Sequence, residues 1–173
     1  SGTVTYDGTE HKVTGYDVAI SNPLYKEGDF EFNGTAEVKG TDAGTYDMEL
    51  KAADFKNTSK NFKDVEFVIV DGTLEISKRN VTLTSANAEK VYDGKPLTKN
   101  EVTASGDGFV GSEGATYDVT GTQTNVGSSD NTFTYTLNSN TKAGNYEIKT
   151  ENGTLTVNPV ADKVTVTITE HSD

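Results

Sequence analysis

Apolar residues and threonine alternate along much of this chain. Thr3-Val4-Thr5-Tyr6, Val81-Thr82-Leu83-Thr84 and Val164-Thr165-Val166-Thr167-Ile168-Thr169 each set Val, Leu or Ile on one side and Thr on the other. Successive side chains of a strand point to opposite faces, so a period of two predicts strands with one dry face and one wet face. Helical patterning is weak. Residues 23–27, 52–55 and 59–64 could each close one or two turns, and residues 138–144 are too few for a helix. The pattern therefore predicts a mainly β fold with at most short helical turns.

Two turn signals predict hairpins. Glu66-Phe67-Val68-Ile69-Val70 runs into Asp71-Gly72 and returns as Thr73-Leu74-Glu75-Ile76. Asn145-Tyr146-Glu147-Ile148-Lys149 runs into Glu151-Asn152-Gly153 and returns as Thr154-Leu155-Thr156-Val157. Asp-Gly and Asn-Gly accept the positive φ of tight primed turns. Tyr6-Asp7-Gly8 and Tyr92-Asp93-Gly94 read as a further pair of turns, with Gly at the special angle, Asp bonding the turn amides and Tyr packing alongside.

These pairs belong to an internal repeat. The Tyr-Asp-Gly turns are 92 − 6 = 86 residues apart. Gly40-Thr41 through Gly44 and Tyr46 returns as Gly121-Thr122 through Gly127 and Tyr135, a shift of 121 − 40 = 81. The Gly-Thr-Leu closing segment recurs with 153 − 72 = 81. A period of about 80 residues is too long for a solenoid turn and suits a small domain. The expected organisation is a first repeat over 1–79, a second over 80–160 and a segment 161–173 belonging to a next repeat. Ser77-Lys78-Arg79-Asn80 joins the repeats without a Gly/Ser- or Pro-rich linker, so the two small domains are expected in an elongated arrangement.

The ends of the repeats are offset. A strand, residues 81–84, precedes the second Tyr-Asp-Gly, whereas almost nothing precedes the first. The first repeat is therefore expected to lack its opening strand and to expose an edge. Residues 164–169 form an orphan strand, expected to exchange with another copy of the chain.

Composition narrows the function classes. Cysteine is absent, which removes disulfides and thiolate metal sites. The formal charge of −12 is spread over both halves, with 9 basic and 15 acidic groups in residues 1–79 and 6 and 12 in residues 80–173. Nucleic acid and anionic membranes need a basic face, so neither is an expected partner. No apolar run approaches the ~20 residues of a membrane span.

No motif carries chemistry. His11 and His171 each follow Thr-Glu and lack companion ligands at metal spacing. Asp42-Ala43-Gly44, Asp107-Gly108 and Glu113-Gly114 lack calcium-loop spacing and read as turn chemistry. There is no phosphate loop and no nucleophile elbow. A strand-rich module of this size has little room for a deep substrate cleft. Catalytic, cofactor-binding and metal sites are all expected to be none. Of the four Asn-x-Ser/Thr sequences, at Asn33, Asn57, Asn80 and Asn152, two fall in turns. Tyr16, Tyr25 and Tyr117 could stack on sugar rings, although core packing suits most tyrosines here. A Lys–Asn isopeptide staple would help a thin core bear load, and it needs a buried acid beside the pair.

The ordered set of Tyr-Asp-Gly, Asp107-Gly108-Phe109, the Gly127-to-Tyr135 stretch and Asn152-Gly153-Thr154-Leu155-Thr156-Val157 resembles the mostly-β-grasp (MBG-type) tandem repeats of bacterial surface adhesins. The second repeat matches over nearly its whole length, and the first at its turn and closing segment. The resemblance implies a β-grasp-like sheet, an extracellular place on a cell-wall-attached, mainly Gram-positive surface protein, and a stalk or adhesive role. It transfers no catalytic residues and no cofactor. Two functions follow as expectations. One is a non-enzymatic stalk or spacer whose partners are neighbouring repeats. The other is a module binding mucin-type glycans or a host surface protein through residues 24–32 or 52–64. Exposed, clustered aromatics there would favour binding, and dispersed Thr faces would favour a stalk.

Overall fold

A computed structural model describes residues 1–171, which are built from fifteen short strands and three single 3-10 turns. The chain divides into two compact units. One holds Ser1–Val81, Asp107–Gly114 and Ser139–Glu147, and the other holds Thr82–Gly106, Ala115–Asn138 and the chain from Ile148 onward.

The first unit contains β1 (Gly2–Thr5), β2 (His11–Thr14), β3 (Phe30–Phe32), β4 (Glu37–Gly40), β5 (Gly44–Asp47), β6 (Phe55–Asn57) and β7 (Thr73–Ser77). Strand β7 is central, with β1 parallel on one side and β5 antiparallel on the other. Its alternation works as the sequence predicts: Leu74 and Ile76 are buried and Glu75 is exposed. Strands β2 and β4 form one antiparallel pair, and β3 and β6 another.

The remaining strands are β8 (Arg79–Ser85), β9 (Ala88–Val91), β10 (Val102–Gly106), β11 (Ala115–Val119), β12 (Gly127–Asn131), β13 (Phe133–Leu137), β14 (Tyr146–Glu151) and β15 (Gly153–Asn158). They form sheets in the orders β10-β8-β14, β11-β13 and β12-β15-β9. Leu83 of β8 and Leu155 and Val157 of β15 are almost wholly buried.

The repeat is real at the level of topology. Strand β15 has a parallel neighbour, β9, and an antiparallel one, β12, as β7 has β1 and β5. Leu74 faces Gly2 and Tyr46, and Leu155 faces Ala88 and Ser129. This register corrects one sequence pairing: Ser129, not Tyr135, is the counterpart of Tyr46. Tyr135 lies on β13 opposite Tyr117. Gly44 and Gly127, which open β5 and β12, are the true shared landmark, because ladder position rather than residue type fixes equivalence.

Neither predicted hairpin is a paired hairpin. Strands β14 and β15 follow each other but belong to different sheets, and residues 65–70 lie in no strand. Glycine at position 153 answers a steric demand and not a positive φ. A Cβ there would fall 2.6 Å from the Ala86 carbonyl oxygen. The Tyr-Asp-Gly turns do behave as read. Gly8 and Gly94 take φ of 78° and 75°, Thr9 N donates to Asp7 Oδ1 (2.9 Å), and Lys95 N donates to Asp93 Oδ1 (3.0 Å). Tyr6 is buried beside its turn, while Tyr92 is exposed.

Candidate functional site

The most site-like feature lies in the first unit and starts from two local motifs. Lys26-Glu27-Gly28-Asp29-Phe30 and Lys51-Ala52-Ala53-Asp54-Phe55 each close a 3-10 turn, over Glu27–Asp29 and Ala52–Asp54. Asp29 Oδ2 accepts from Lys26 N at 2.8 Å, and Asp54 Oδ2 accepts from Lys51 N at 2.9 Å. Each turn delivers its phenylalanine as the first residue of a strand, β3 or β6. The antiparallel register then sets Phe32 opposite Phe55, with ring centroids 4.8 Å apart.

Around this pair the aromatics gather. Phe67 lies 5.7 Å from both Phe30 and Phe55, and Tyr16 meets Phe32 and Phe55 edge-on at 5.0 and 5.3 Å. Tyr25 packs edge-on against Phe62 at 5.1 Å. Offset and edge-on rings bring the positive ring edge to the negative ring face, which stabilises such clusters beyond area burial. The Tyr25 hydroxyl sits 3.0 Å from both the Asp29 carbonyl and Asn57 Oδ1, and burial followed by the Asp29 charge raises its pKa.

The cluster forms the floor of an open groove of about 510 Å³, walled by residues 16–22 on one side and 64–70 on the other. Asp17, Asp64 and Glu66 stand among the walls. Among the described residues, no three His, Asp or Glu side chains gather as metal ligands. The groove thus offers aromatic and aliphatic surface with acidic borders. It can seat an extended apolar segment or stack on sugar rings.

The sequence expectations fall unevenly on this site. The variable segments 24–32 and 52–64 do converge, through Phe30, Phe32, Phe55 and Phe62. Tyr16 is 40% exposed at the groove, Tyr25 is core, and Tyr117 pairs across β11 and β13. Asn57 is structural, since its Nδ2 donates to the Ser59 and Phe62 carbonyls. The repeated Lys-x-x-Asp-Phe motif was the available signal for the groove, and its third variant, Lys142-Ala143-Gly144-Asn145-Tyr146, makes the same turn before β14.

Glu113 departs from the turn role that its neighbour Gly114 suggests. Its two carboxylate oxygens each accept a hydrogen bond of 2.6 Å, one from Tyr6 Oη and one from Tyr146 Oη. Both phenols are buried, and their rings meet edge-on at 5.6 Å. Burial first and then the Glu113 hydrogen bond push each phenol up to about 12. Nearby, Asn145 Nδ2 donates to Asp42 Oδ1 at 2.9 Å, Ala43 N donates to Asn145 Oδ1 at 2.7 Å, and Lys142 Nζ pairs with Asp42 Oδ2 at 2.6 Å. Arg79 donates to the Gly108 and Asp107 carbonyls at 2.9 and 2.6 Å. These links tie 107–114 and 139–147 into the first unit.

The Lys142–Asp42–Asn145 group has the residue types of an isopeptide site but not the environment. The Lys142 side chain is 69% exposed, and hydrogen bonding to Asp42 raises its pKa. A protonated, hydrated ammonium has no free pair with which to attack an amide.

No curated protein and no solved structure matches this chain. A family model does match, described as MBG domain, and it covers residues 1–78. The span takes in β1 to β7, the Tyr-Asp-Gly turn and the closing Gly-Thr-Leu segment, so residues 1–78 are similar to an MBG domain, as the MBG-type resemblance read from the sequence expects.

Proposed function

We propose that this chain is a non-enzymatic stalk or spacer segment of a bacterial surface adhesin. In this reading it is extracellular, belongs to a cell-wall-attached protein, and holds a distal binding region away from the wall, its partners being neighbouring repeats. The observation that carries it is the placement of β1 and β7. The first and last strands within residues 1–78, β1 and β7, lie side by side and parallel, Gly2 to Thr5 against Leu74 to Ser77, and β9 and β15 repeat this pairing behind the additional strand β8. Tension between Gly2 and Ser77 runs along this ladder in opposite directions. Its hydrogen bonds then share the load and must break together, whereas a peeling geometry breaks them one by one. Tandem repetition and an evenly spread negative charge support the same reading.

One observation favours a second reading, a module for mucin-type glycans or a host surface protein. The aromatic groove is concave and partly exposed, as a sugar-stacking site would be. A mucin pull-down and glycan array with the full chain separate the two. The stalk reading expects no saturable binding. Saturable binding that disappears in Phe55→Ala would refute it and install the groove as a receptor site.

A further inference from the structure

The groove has a counterpart that is filled. Shifting β10 back by the Tyr-Asp-Gly offset gives 102 − 86 = 16 to 106 − 86 = 20, and shifting β14 back by the closing-segment offset gives 146 − 81 = 65 to 151 − 81 = 70. These are the two walls of the groove. In the second repeat, β10 and β14 are not bare walls, because β8 lies between them in one sheet. In the first, residues 16–20 and 65–70 are in no strand and make no backbone hydrogen bond among the described residues. Two strandless segments line an apolar groove where the equivalent site holds a strand.

The chain also carries a segment shaped for that place. β8 buries Val81 and Leu83 and alternates them with Thr82 and Thr84. Val164, Val166 and Ile168 alternate with Thr165, Thr167 and Thr169 in the same way, yet they are 81, 77 and 86% exposed. Three regularly spaced aliphatic side chains left in water mark a strand without a sheet. Lys163 precedes them, matching the acidic walls Asp17, Asp64 and Glu66.

We infer that the groove between residues 16–20 and 65–70 is a strand-acceptor slot, and that its occupant is residues 163–169 of a second copy of this chain. The donated strand supplies ladder partners to both walls and lays Val164, Val166 and Ile168 on the aromatic floor of Phe30, Phe55 and Phe67. It runs antiparallel to residues 16–20. In the filled site, Ser105 and Thr103 of β10 donate to the Thr82 and Thr84 carbonyls of β8, the order that antiparallel strands give. Donor and acceptor are different surfaces, so two copies can exchange tails reciprocally as a strand-swapped dimer, or successive copies can link into rings or filaments. This goes beyond the stalk reading and does not depend on it, and it competes with the glycan reading, which needs the same groove open.

Sedimentation velocity of the full chain over a wide concentration range tests it. The wild type should pass from monomer to dimer or larger multimers as concentration rises. The variant Val166→Lys/Ile168→Lys, altered only at exposed positions, should stay monomeric, its self-association weakened on the order of a hundredfold or more by two lost aliphatic burials. A synthetic peptide of residues 162–170 should bind that variant saturably, shift its Tyr16 and Phe67 ring resonances, and break up wild-type multimers. A wild type that is monomeric throughout overturns the proposal. So does failure of the peptide to bind the variant. A monomeric wild type whose tail variant alone binds the peptide would place the chain's own tail in the slot and overturn the second-copy assignment. All these readouts are taken without mucin, so the outcome of the mucin pull-down is separate from them.

Discussion

Replacing Glu113 by Ala should unfold the first unit more readily by about 2–4 kcal/mol. The figure follows from the geometry. Two phenol donors, Tyr6 (4% exposed) and Tyr146 (3% exposed), lose their acceptor together. A hydrogen bond to a charged group contributes about 1.5–3 kcal/mol, and a buried donor without a partner keeps its desolvation cost. The two bonds share one carboxylate, so they do not add in full, and removing the half-buried charge recovers part of the loss. The single phenol deletions should differ. Tyr6→Phe loses the bond to Glu113 alone, whereas Tyr146→Phe also strands the Val110 N–H that donates to its oxygen at 3.0 Å. Tyr146→Phe should therefore be the costlier by roughly 0.5–1.5 kcal/mol. Urea unfolding followed by tyrosine fluorescence reads these changes without interference, because the chain has no Trp. A loss below about 0.5 kcal/mol for Glu113→Ala, or equal costs for the two phenol deletions, would refute the bridging role. The pH axis supplies an independent check. Both phenols titrate higher in the folded state, at about 12 against an ordinary 10.0, so the folded chain holds these protons more tightly. Their contribution is complete below pH 10 and is lost as pH rises from 10 towards 12.

Three further outcomes are expected. Gly153→Ala should cost about 1–3 kcal/mol or more in thermal unfolding, because the new methyl meets the backbone of Ser85 and Ala86 rather than a side chain able to move; a stability matching wild type would show that the β8–β9 connection yields. Asp7 should titrate near 2 by carbon NMR, held down from 3.8 first by the Thr9 hydroxyl, then by Thr9 N and by His11. Its stabilisation is present above pH 3.8 and lost as pH falls through 2, and an unshifted midpoint in the wild type would remove the Asp7–Thr9–His11 link from the solution structure. Intact mass should equal the sequence mass without loss of ammonia, since Lys142 stays protonated beside Asp42; a deficit of one ammonia, mapped to Lys142 and Asn145, would contradict that.

Strand content, the Tyr-Asp-Gly turns and the repeat were legible in the sequence because each rests on neighbours along the chain. Alternation of Val and Thr fixes which face is dry, and Asp7 or Asp93 needs only the amide two residues on to hold its turn. Pairing was not legible. Glu66-Phe67-Val68-Ile69-Val70 and Tyr146-Glu147-Ile148-Lys149 look like hairpin arms, yet one makes no ladder and the other joins a different sheet from β15. A turn fixes only local direction, while the choice of partner depends on which distant edge best buries the apolar face. The same limit hid the aromatic groove, whose rings come from positions 16, 25, 30, 32, 55, 62 and 67, and the Glu113 bridge, which joins position 6 to position 146. By itself, then, the sequence determined a mainly β chain with an internal repeat and no recognisable catalytic motif. Tertiary structure alone decided that Glu113 anchors two phenols, that Gly153 answers a backbone approach, and that two strandless walls flank an aromatic floor. Such features arise from long-range packing, in which the energy of a side chain is set by what surrounds it in space rather than by its neighbours in the chain.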